Sequence, residues 1–92
     1  MRVSVIGGSV IDDDEAATAT ALGRLLSQRG HTVVCGGLGG VMEAVCRGAS
    51  EAGGHAIGIL PSDRPADANE YVDEAIATGL GHARNALVVM NG

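Results

Sequence analysis

The stretch that decides the fold is His31-Thr32-Val33-Val34-Cys35-Gly36-Gly37-Leu38-Gly39-Gly40-Val41-Met42-Glu43. Its apolar first part is typical of a buried strand, and its last part opens a helical pattern that runs to Ala52. Between the two lie four glycines in five positions. A strand, a glycine turn and a helix leave bare backbone N–H groups at the helix N-terminus, where the helix dipole favours negative charge. The stretch therefore predicts an anion-binding turn.

Strand and helix patterns alternate along the whole chain. Strands are predicted at Arg2–Ile6, His31–Cys35 and His55–Leu60, and helices at Asp13–Arg29, Val41–Ala52 and His82–Met90. Glu70–Thr78 is ambiguous, and we interpret its part near Glu74–Ala77 as a short strand. Near-continuous apolar strands that alternate with helices indicate a parallel sheet covered on both faces. We therefore predict an α/β fold in one domain, residues 1–92: a Rossmann-like, doubly wound parallel sheet of three to four strands, in the order 3-2-1.

Strand one raises a topological problem that makes the fold look truncated. In a doubly wound sheet strand one is central, but this chain stops at Asn91-Gly92, where the last helix should lead into a strand on its other side. A bare apolar strand edge promotes association. Three explanations are open: Glu70–Thr78 fills the gap, another chain does, or the sequence is part of a longer domain.

Composition excludes several classes of function. The net charge is −5, no lysine is present, and Tyr71 is the only aromatic residue. An acidic, aromatic-poor surface argues against nucleic-acid binding, and the lack of lysine excludes a Walker A loop and a Schiff base. No apolar run is long enough to span a membrane, so we expect a cytoplasmic protein.

The cysteines and histidines do not indicate a metal site. Cys35 and Cys46 lack the CxxC spacing, and we interpret them as small buried apolar residues in a reducing compartment. The three histidines show no ligand spacing with them. His31 and His55 each begin a strand, at the end opposite the glycine turns, which makes them poor catalytic candidates.

Two glycine turns and one arginine are the candidate site. Gly7-Gly8-Ser9 lies at the carboxyl end of strand one, as a ligand turn or merely as a tight turn. Gly36–Gly40 favours close backbone approach to a ligand over helix–sheet packing alone. Glu43 either compensates the helix dipole or contacts a ribose hydroxyl or a partner subunit. Arg84-Asn85 could bind phosphate through the guanidinium, although physics alone favours a solvated helix residue at position 84.

These motifs resemble a known family. The run Gly36-Gly37-Leu38-Gly39-Gly40-Val41-Met42-Glu43-Ala44-Val45, followed by Gly48-Ala49, Gly53-Gly54 and Ile57-Gly58-Ile59-Leu60-Pro61, is similar to the lonely-guy (LOG) superfamily, long mislabelled "possible lysine decarboxylases". Thr78-Gly79-Leu80-Gly81 with Arg84-Asn85 resembles in particular the branch that includes molybdenum-cofactor carrier proteins. The resemblance covers essentially all 92 residues.

The resemblance implies a Rossmann-like fold, homodimers and a small ligand that bears ribose and phosphate or a pterin group. The implied ligand is an AMP-like nucleotide or the molybdopterin cofactor, with no further cofactor required. The candidate ligand-binding residues are Gly7, Gly8, Ser9, Gly36, Gly37, Leu38, Gly39, Gly40, Met42, Glu43, Arg84 and Asn85.

Three hypotheses for function follow. The first is a nucleotide- or cofactor-binding, carrier-like module. The second is a nucleoside 5′-monophosphate phosphoribohydrolase, because lonely-guy enzymes cleave an N-glycosidic bond with an Arg and a Glu, and Arg84 matches that catalytic Arg. The Glu belongs to a PGGxGTxxE motif that this sequence lacks, so a partner or a further segment would have to supply it. The third is a truncated, non-functional remnant.

Overall fold

The computed structural model describes residues 1–92 and follows the predicted alternation of strands and helices. The elements are β1 (Arg2–Ser4), α1 (Asp13–Gln28), β2 (Thr32–Cys35), α2 (Val41–Glu51), β3 (Ala56–Leu60), β4 (Glu74–Ala77) and α3 (Arg84–Met90), with short 3-10 turns at Pro65–Asp67 and Gly81–Ala83. The ambiguous segment is thus the short strand expected. None of the helices combines the length and apolar character needed to cross a membrane.

All four strands are parallel and lie in the order β1-β2-β3-β4. The predicted order 3-2-1 and the α/β Rossmann-like class are confirmed. The explanation in which Glu70–Thr78 fills the gap beside β1 is wrong, because β4 pairs with β3. Asp73 holds it there: its backbone N–H donates to the Ala56 carbonyl at 2.9 Å, and its carboxylate accepts from the Ala56 N–H at 2.7 Å. The outer edge of β1 is therefore unpaired.

Helices α1 and α2 pack against each other through glycine. A Cβ on Gly23 would overlap the Val45 carbonyl oxygen, and a Cβ on Gly48 would overlap the Thr20 carbonyl oxygen. Close backbone contact of this kind leaves the larger side chains outside, so Leu22 and Leu25 are 41% and 45% exposed. The core of this layer is apolar and tightly buried: Val5, Val33, Cys35, Met42, Val45, Cys46, Ala49 and Ala56.

Helix α3 covers the opposite face of the sheet, which makes the fold doubly wound. Val88 packs in one buried cluster with Val34, Ile57 and Ile59. The Ser4 hydroxyl donates to the Val88 carbonyl at 2.6 Å and fixes the end of α3 beside β1. This placement brings the first residue of α3, Arg84, to the glycine turn that follows β2.

Candidate functional site

The turn after β2 uses glycine partly for packing. Gly37 and Gly40 have φ of +77° and +68°, the left-handed region that favours glycine. A Cβ on Gly37 would lie 2.8 Å from Leu60 Cδ2 and 3.1 Å from the Gly58 Cα, so this residue must be small for β2 and β3 to approach. Part of the glycine content of the turn is therefore explained by packing alone.

The two glycine turns contact each other. The Val41 N–H donates to the Gly8 carbonyl at 3.0 Å, and a Cβ on Gly40 would overlap the same oxygen. A Cβ on Gly7 would come within 2.5 Å of the Val41 Cβ. The protein's own carbonyl thus caps one amide of the predicted anion-binding turn, and it locks the two turns into one unit.

Three other amides at this turn are unpaired. Gly40 begins α2 as its N-cap without any side-chain cap. The backbone N–H groups of Gly36, Leu38 and Met42 have no acceptor within the chain. Unsatisfied N–H groups at a helix N-terminus carry partial positive charge and attract an anion.

Arg84 is buried without a partner. It is 9% exposed, its Nε–H is shielded from solvent and has no hydrogen-bond acceptor, and none of the chain's ion pairs involves it. The interpretation of Arg84 as a solvated helix residue is therefore wrong. Its guanidinium lies over the turn, since a Cβ on Gly36 would come within 2.5 Å of Arg84 Nη2. A guanidinium stays protonated in proteins, so this is a permanent buried cation.

A cavity of about 290 Å³ lies beneath this guanidinium and brings together seven of the twelve predicted site residues: Gly7, Ser9, Gly36, Leu38, Met42, Arg84 and Asn85. Its other lining residues are Val5, Ile6, His82 and Val88, and none of the eleven is acidic. The cavity lies beyond the carboxyl ends of β1 and β2, the edge at which open α/β sheets bind ligands. Buried positive charge, free N–H groups and no lining carboxylate make it suited to an anion.

The other five predicted residues lie outside this cavity. Gly40 and Glu43 line a second cavity, of about 460 Å³, with Arg47 and Glu70. Gly8, Gly37 and Gly39 line neither, and an added Cβ on Gly39 would point into open space. The carboxylate of Glu43 therefore does not oppose an anion at Arg84.

Sequence reasoning missed His82, Val5, Ile6 and Val88 as lining residues. His82 lies two positions before Arg84, after β4, and the carboxyl ends of neighbouring parallel strands share one edge. That placement was a usable signal. His55 lies at the opposite end of the sheet, where its Nε2 is 2.6 Å from Glu74 Oε1.

The two cysteines lie directly behind the turn. Both are buried, as predicted, but they also contact each other, with 3.4 Å between the two Sγ atoms. The hydrogen bond with Cys46 lowers the pKa of the Cys35 thiol below its ordinary value; burial opposes this shift, while the Gly37 N–H and the charge of Arg84 add to it. The same hydrogen bond, followed by burial, raises the pKa of the Cys46 thiol.

Comparison with known proteins identifies the relatives of this fold. The chain is 40% identical to the molybdenum cofactor binding protein from the phototrophic bacterium Rippkaea orientalis, with a TM-score of 0.86 over 91% of this chain and 52% of that one. It is 33% identical to the molybdenum cofactor carrier protein from Chlamydomonas reinhardtii, with a TM-score of 0.79 over 98% and 54%. It is also 42% identical to an uncharacterized protein from Archaeoglobus fulgidus over 97% of this chain and 58% of that protein.

These matches confirm the resemblance to the LOG-like superfamily and to its molybdenum-cofactor carrier branch. The chain spans a little more than half the length of each of these relatives. The model of the SLOG cluster4 family matches residues 1–92. Since that match covers the whole sequence, the chain belongs to the SLOG cluster4 family.

Proposed function

We propose that this chain is a carrier-like binding domain that holds a phosphate-bearing small molecule at the cavity beneath Arg84. The ligand we favour is a molybdopterin-type cofactor, with an AMP-like nucleotide as the alternative. The single observation that carries the proposal is the buried guanidinium of Arg84, which has neither a carboxylate partner nor an acceptor for its Nε–H. Two structural neighbours, a molybdenum cofactor binding protein and a molybdenum cofactor carrier protein, support the choice of ligand.

A bound anion would compensate the positive charge of Arg84. A buried ion without a partner carries an effective penalty of several kcal/mol, even after local relaxation. A phosphate group offers two negative charges and several acceptor oxygens, which match the planar fork of an arginine. Gly36, Leu38 and Met42, whose backbone N–H groups are free, line the same cavity. One anion could therefore satisfy Arg84 and the turn together.

The size of the cavity limits how much of the ligand it holds. Sites that enclose a drug-sized ligand measure about 300–1,000 Å³, and this cavity, at about 290 Å³, is at the lower end. We propose that it takes the phosphate and the neighbouring part of the ligand, and that the ring system extends beyond it. The apolar side chains of Ile6 and Leu38 on its wall would then contact the less polar part of the ligand.

The geometry favours binding over glycoside hydrolysis. A phosphoribohydrolase needs a carboxylate beside the catalytic arginine for proton transfer or for stabilising positive charge on the sugar. No carboxylate lines the cavity with Arg84, and Glu43 lines the second cavity instead. Binding is therefore the function that these residues support by themselves.

Calorimetric titration tests the proposal. Wild-type protein is titrated with molybdopterin under anaerobic conditions and separately with AMP. The matched variants are Arg84→Ala and Arg64→Ala, since Arg64 is an exposed loop arginine of equal charge. We expect wild type and Arg64→Ala to bind alike. Arg84→Ala should lose about 10- to 100-fold in affinity, because a hydrogen bond to a charged group contributes about 1.5–3 kcal/mol.

Two results would contradict the proposal. One is the absence of binding heat with either ligand on folded wild-type protein, and the other is equal affinity in Arg84→Ala and Arg64→Ala. Release of free base from AMP in the calorimeter cell, if Arg84→Ala abolishes that release, would instead establish the hydrolase.

A further inference from the structure

Two cysteines bracket the candidate ligand turn. Cys35 is the last residue of β2, and Cys46 lies in the second turn of α2, eleven positions later. Every residue of the glycine turn, 36–40, lies between them in the sequence. A covalent bond between the two sulfurs would therefore close a ring around the whole turn.

The sulfur atoms are already in contact. The two Sγ atoms are 3.4 Å apart, both side chains are fully buried, and both thiols are free. A disulfide needs the sulfurs at about 2.0 Å, so the two sulfur atoms have to approach each other by roughly 1.4 Å. Neither thiol has a histidine or a second cysteine pair beside it that would indicate a metal site.

The environment distinguishes the two thiols. The two thiols share one hydrogen bond, in which either sulfur can donate. Cys35 Sγ also accepts from the Gly37 N–H at 3.4 Å, and the cationic Arg84 is near. The Gly37 N–H and the charge of Arg84 favour the thiolate of Cys35, which is the reactive form of a cysteine. The hydrogen bond with Cys35 and burial raise the pKa of the Cys46 thiol, which favours its protonated form. Gly36, the neighbour of Cys35, forms part of the cavity wall, so the cavity comes within one residue of Cys35 along the chain.

We propose that Cys35 and Cys46 form a redox modification site that a hydroperoxide oxidises to a disulfide around the glycine turn. The Cys35 thiolate attacks one peroxide oxygen, the O–O bond breaks, and Cys35 becomes a sulfenic acid while the leaving oxygen takes a proton as water or alcohol. The Cys46 sulfur then attacks the Cys35 sulfur, the S–O bond breaks, and the departing hydroxide takes the Cys46 proton to form water. The peroxide is reduced by two electrons, which the two thiols supply. The inference is independent of the proposed function, since the crosslink is assayed on the protein alone.

Peptide mapping tests the crosslink on wild-type protein. Trypsin cleaves after Arg29 and Arg47, so a single peptide, residues 30–47, contains both cysteines. Fully reduced, folded protein is treated with hydrogen peroxide, quenched, unfolded, alkylated and digested. We expect the peptide to lose the mass of two hydrogen atoms and to carry no alkyl group, and we expect dithiothreitol to restore two alkylatable thiols. Because a ring of this size restricts the unfolded chain, the oxidised protein should melt roughly 10 °C higher.

Single-cysteine variants test the order of attack. In Cys46→Ala, dimedone should trap Cys35 as a sulfenic acid. In Cys35→Ala, the remaining Cys46 should react with peroxide at least roughly tenfold more slowly. Equal rates would overturn the assignment of Cys35 as the attacking thiol. Three results would overturn the site itself, whether or not the variants fold. They are two alkyl groups on peptide 30–47 after peroxide treatment, a disulfide that joins two chains, and a crosslink that forms only in urea-unfolded protein.

Discussion

Replacing Arg84 with methionine should stabilise the protein and at the same time weaken its ligand binding about 10- to 100-fold. Methionine keeps an apolar stem of similar reach and removes the charge, so the packing contribution of the stem is retained. Arg84 is 9% exposed, and nothing in the chain pairs with its guanidinium. Replacing a buried ion pair with apolar residues of similar volume is often neutral or stabilising by about 1–4 kcal/mol, and an unpaired buried charge has no ionic attraction to lose. Most core substitutions destabilise, which makes the expected sign unusual.

The magnitude can be measured by urea and thermal unfolding followed by circular dichroism. For a domain of 60–100 residues, 1 kcal/mol corresponds to roughly 4–8 °C in Tm. We expect Arg84→Met to raise the free energy of unfolding by about 1–3 kcal/mol, and the exposed-site control Arg64→Met to stay within about 0.5 kcal/mol of wild type. Ligand at one hundred times the wild-type Kd should stabilise wild type by about 2.7 kcal/mol and Arg84→Met by only about 0.4–1.4 kcal/mol.

The reasoning would be refuted by a clear loss of stability in Arg84→Met, of about 1 kcal/mol or more, with the control unaffected. That result would mean that interactions within the fold hold the guanidinium, so that no anion is needed to compensate it. Equal stabilisation of wild type and variant by the ligand would also refute it.

Two glycine substitutions give further predictions. Gly36→Ala should fold, because the atoms nearest to its Cβ belong to the flexible end of the Arg84 side chain and to the Met42 sulfur. The displaced guanidinium should weaken ligand affinity roughly tenfold or more in calorimetry. Gly39→Ala, which faces open space, is its control, and equal affinities would contradict the placement of the guanidinium. Gly48→Ala should cost about 1–3 kcal/mol in urea unfolding, because its Cβ overlaps the backbone carbonyl of Thr20; unchanged stability would show that α1 and α2 are farther apart.

The elements of the fold were predictable because they depend on local patterns. Apolar runs and glycine stops indicated the strands, and the parallel order followed from right-handed crossovers. Even the short strand at Glu74–Ala77 was expected. The start of α1 was expected too, and Asp12 caps it by accepting from the Glu15 N–H at 2.8 Å.

The candidate site depends on contacts between residues distant in sequence, and those were only partly predictable. Nothing near Arg84 in the sequence shows that α3 crosses the sheet and buries the guanidinium over Gly36. The contact of Cys35 with Cys46 follows from the angle at which α2 leaves the turn, which residue spacing does not encode. The capping of the Val41 N–H by the Gly8 carbonyl likewise depends on how the two turns meet.

The position of β4 in the sheet is set by hydrogen bonds that the topology of a doubly wound sheet does not predict. A doubly wound sheet needs a strand beside β1, and Glu70–Thr78 was one available segment. The paired hydrogen bonds between Asp73 and Ala56 start β4 alongside β3 instead. The chain spans a little more than half the length of each relative.

The most direct test of the central claim is to observe the Nε–H resonances of the six arginines by nuclear magnetic resonance while the folded protein is titrated with AMP or inorganic phosphate. If the buried guanidinium of Arg84 awaits an anion, its Nε–H signal should shift and become protected from exchange with water, in a saturable manner, while the exposed Arg64 signal stays in place. A titration in which ligand binds but the Arg84 signal neither moves nor gains protection would contradict the claim.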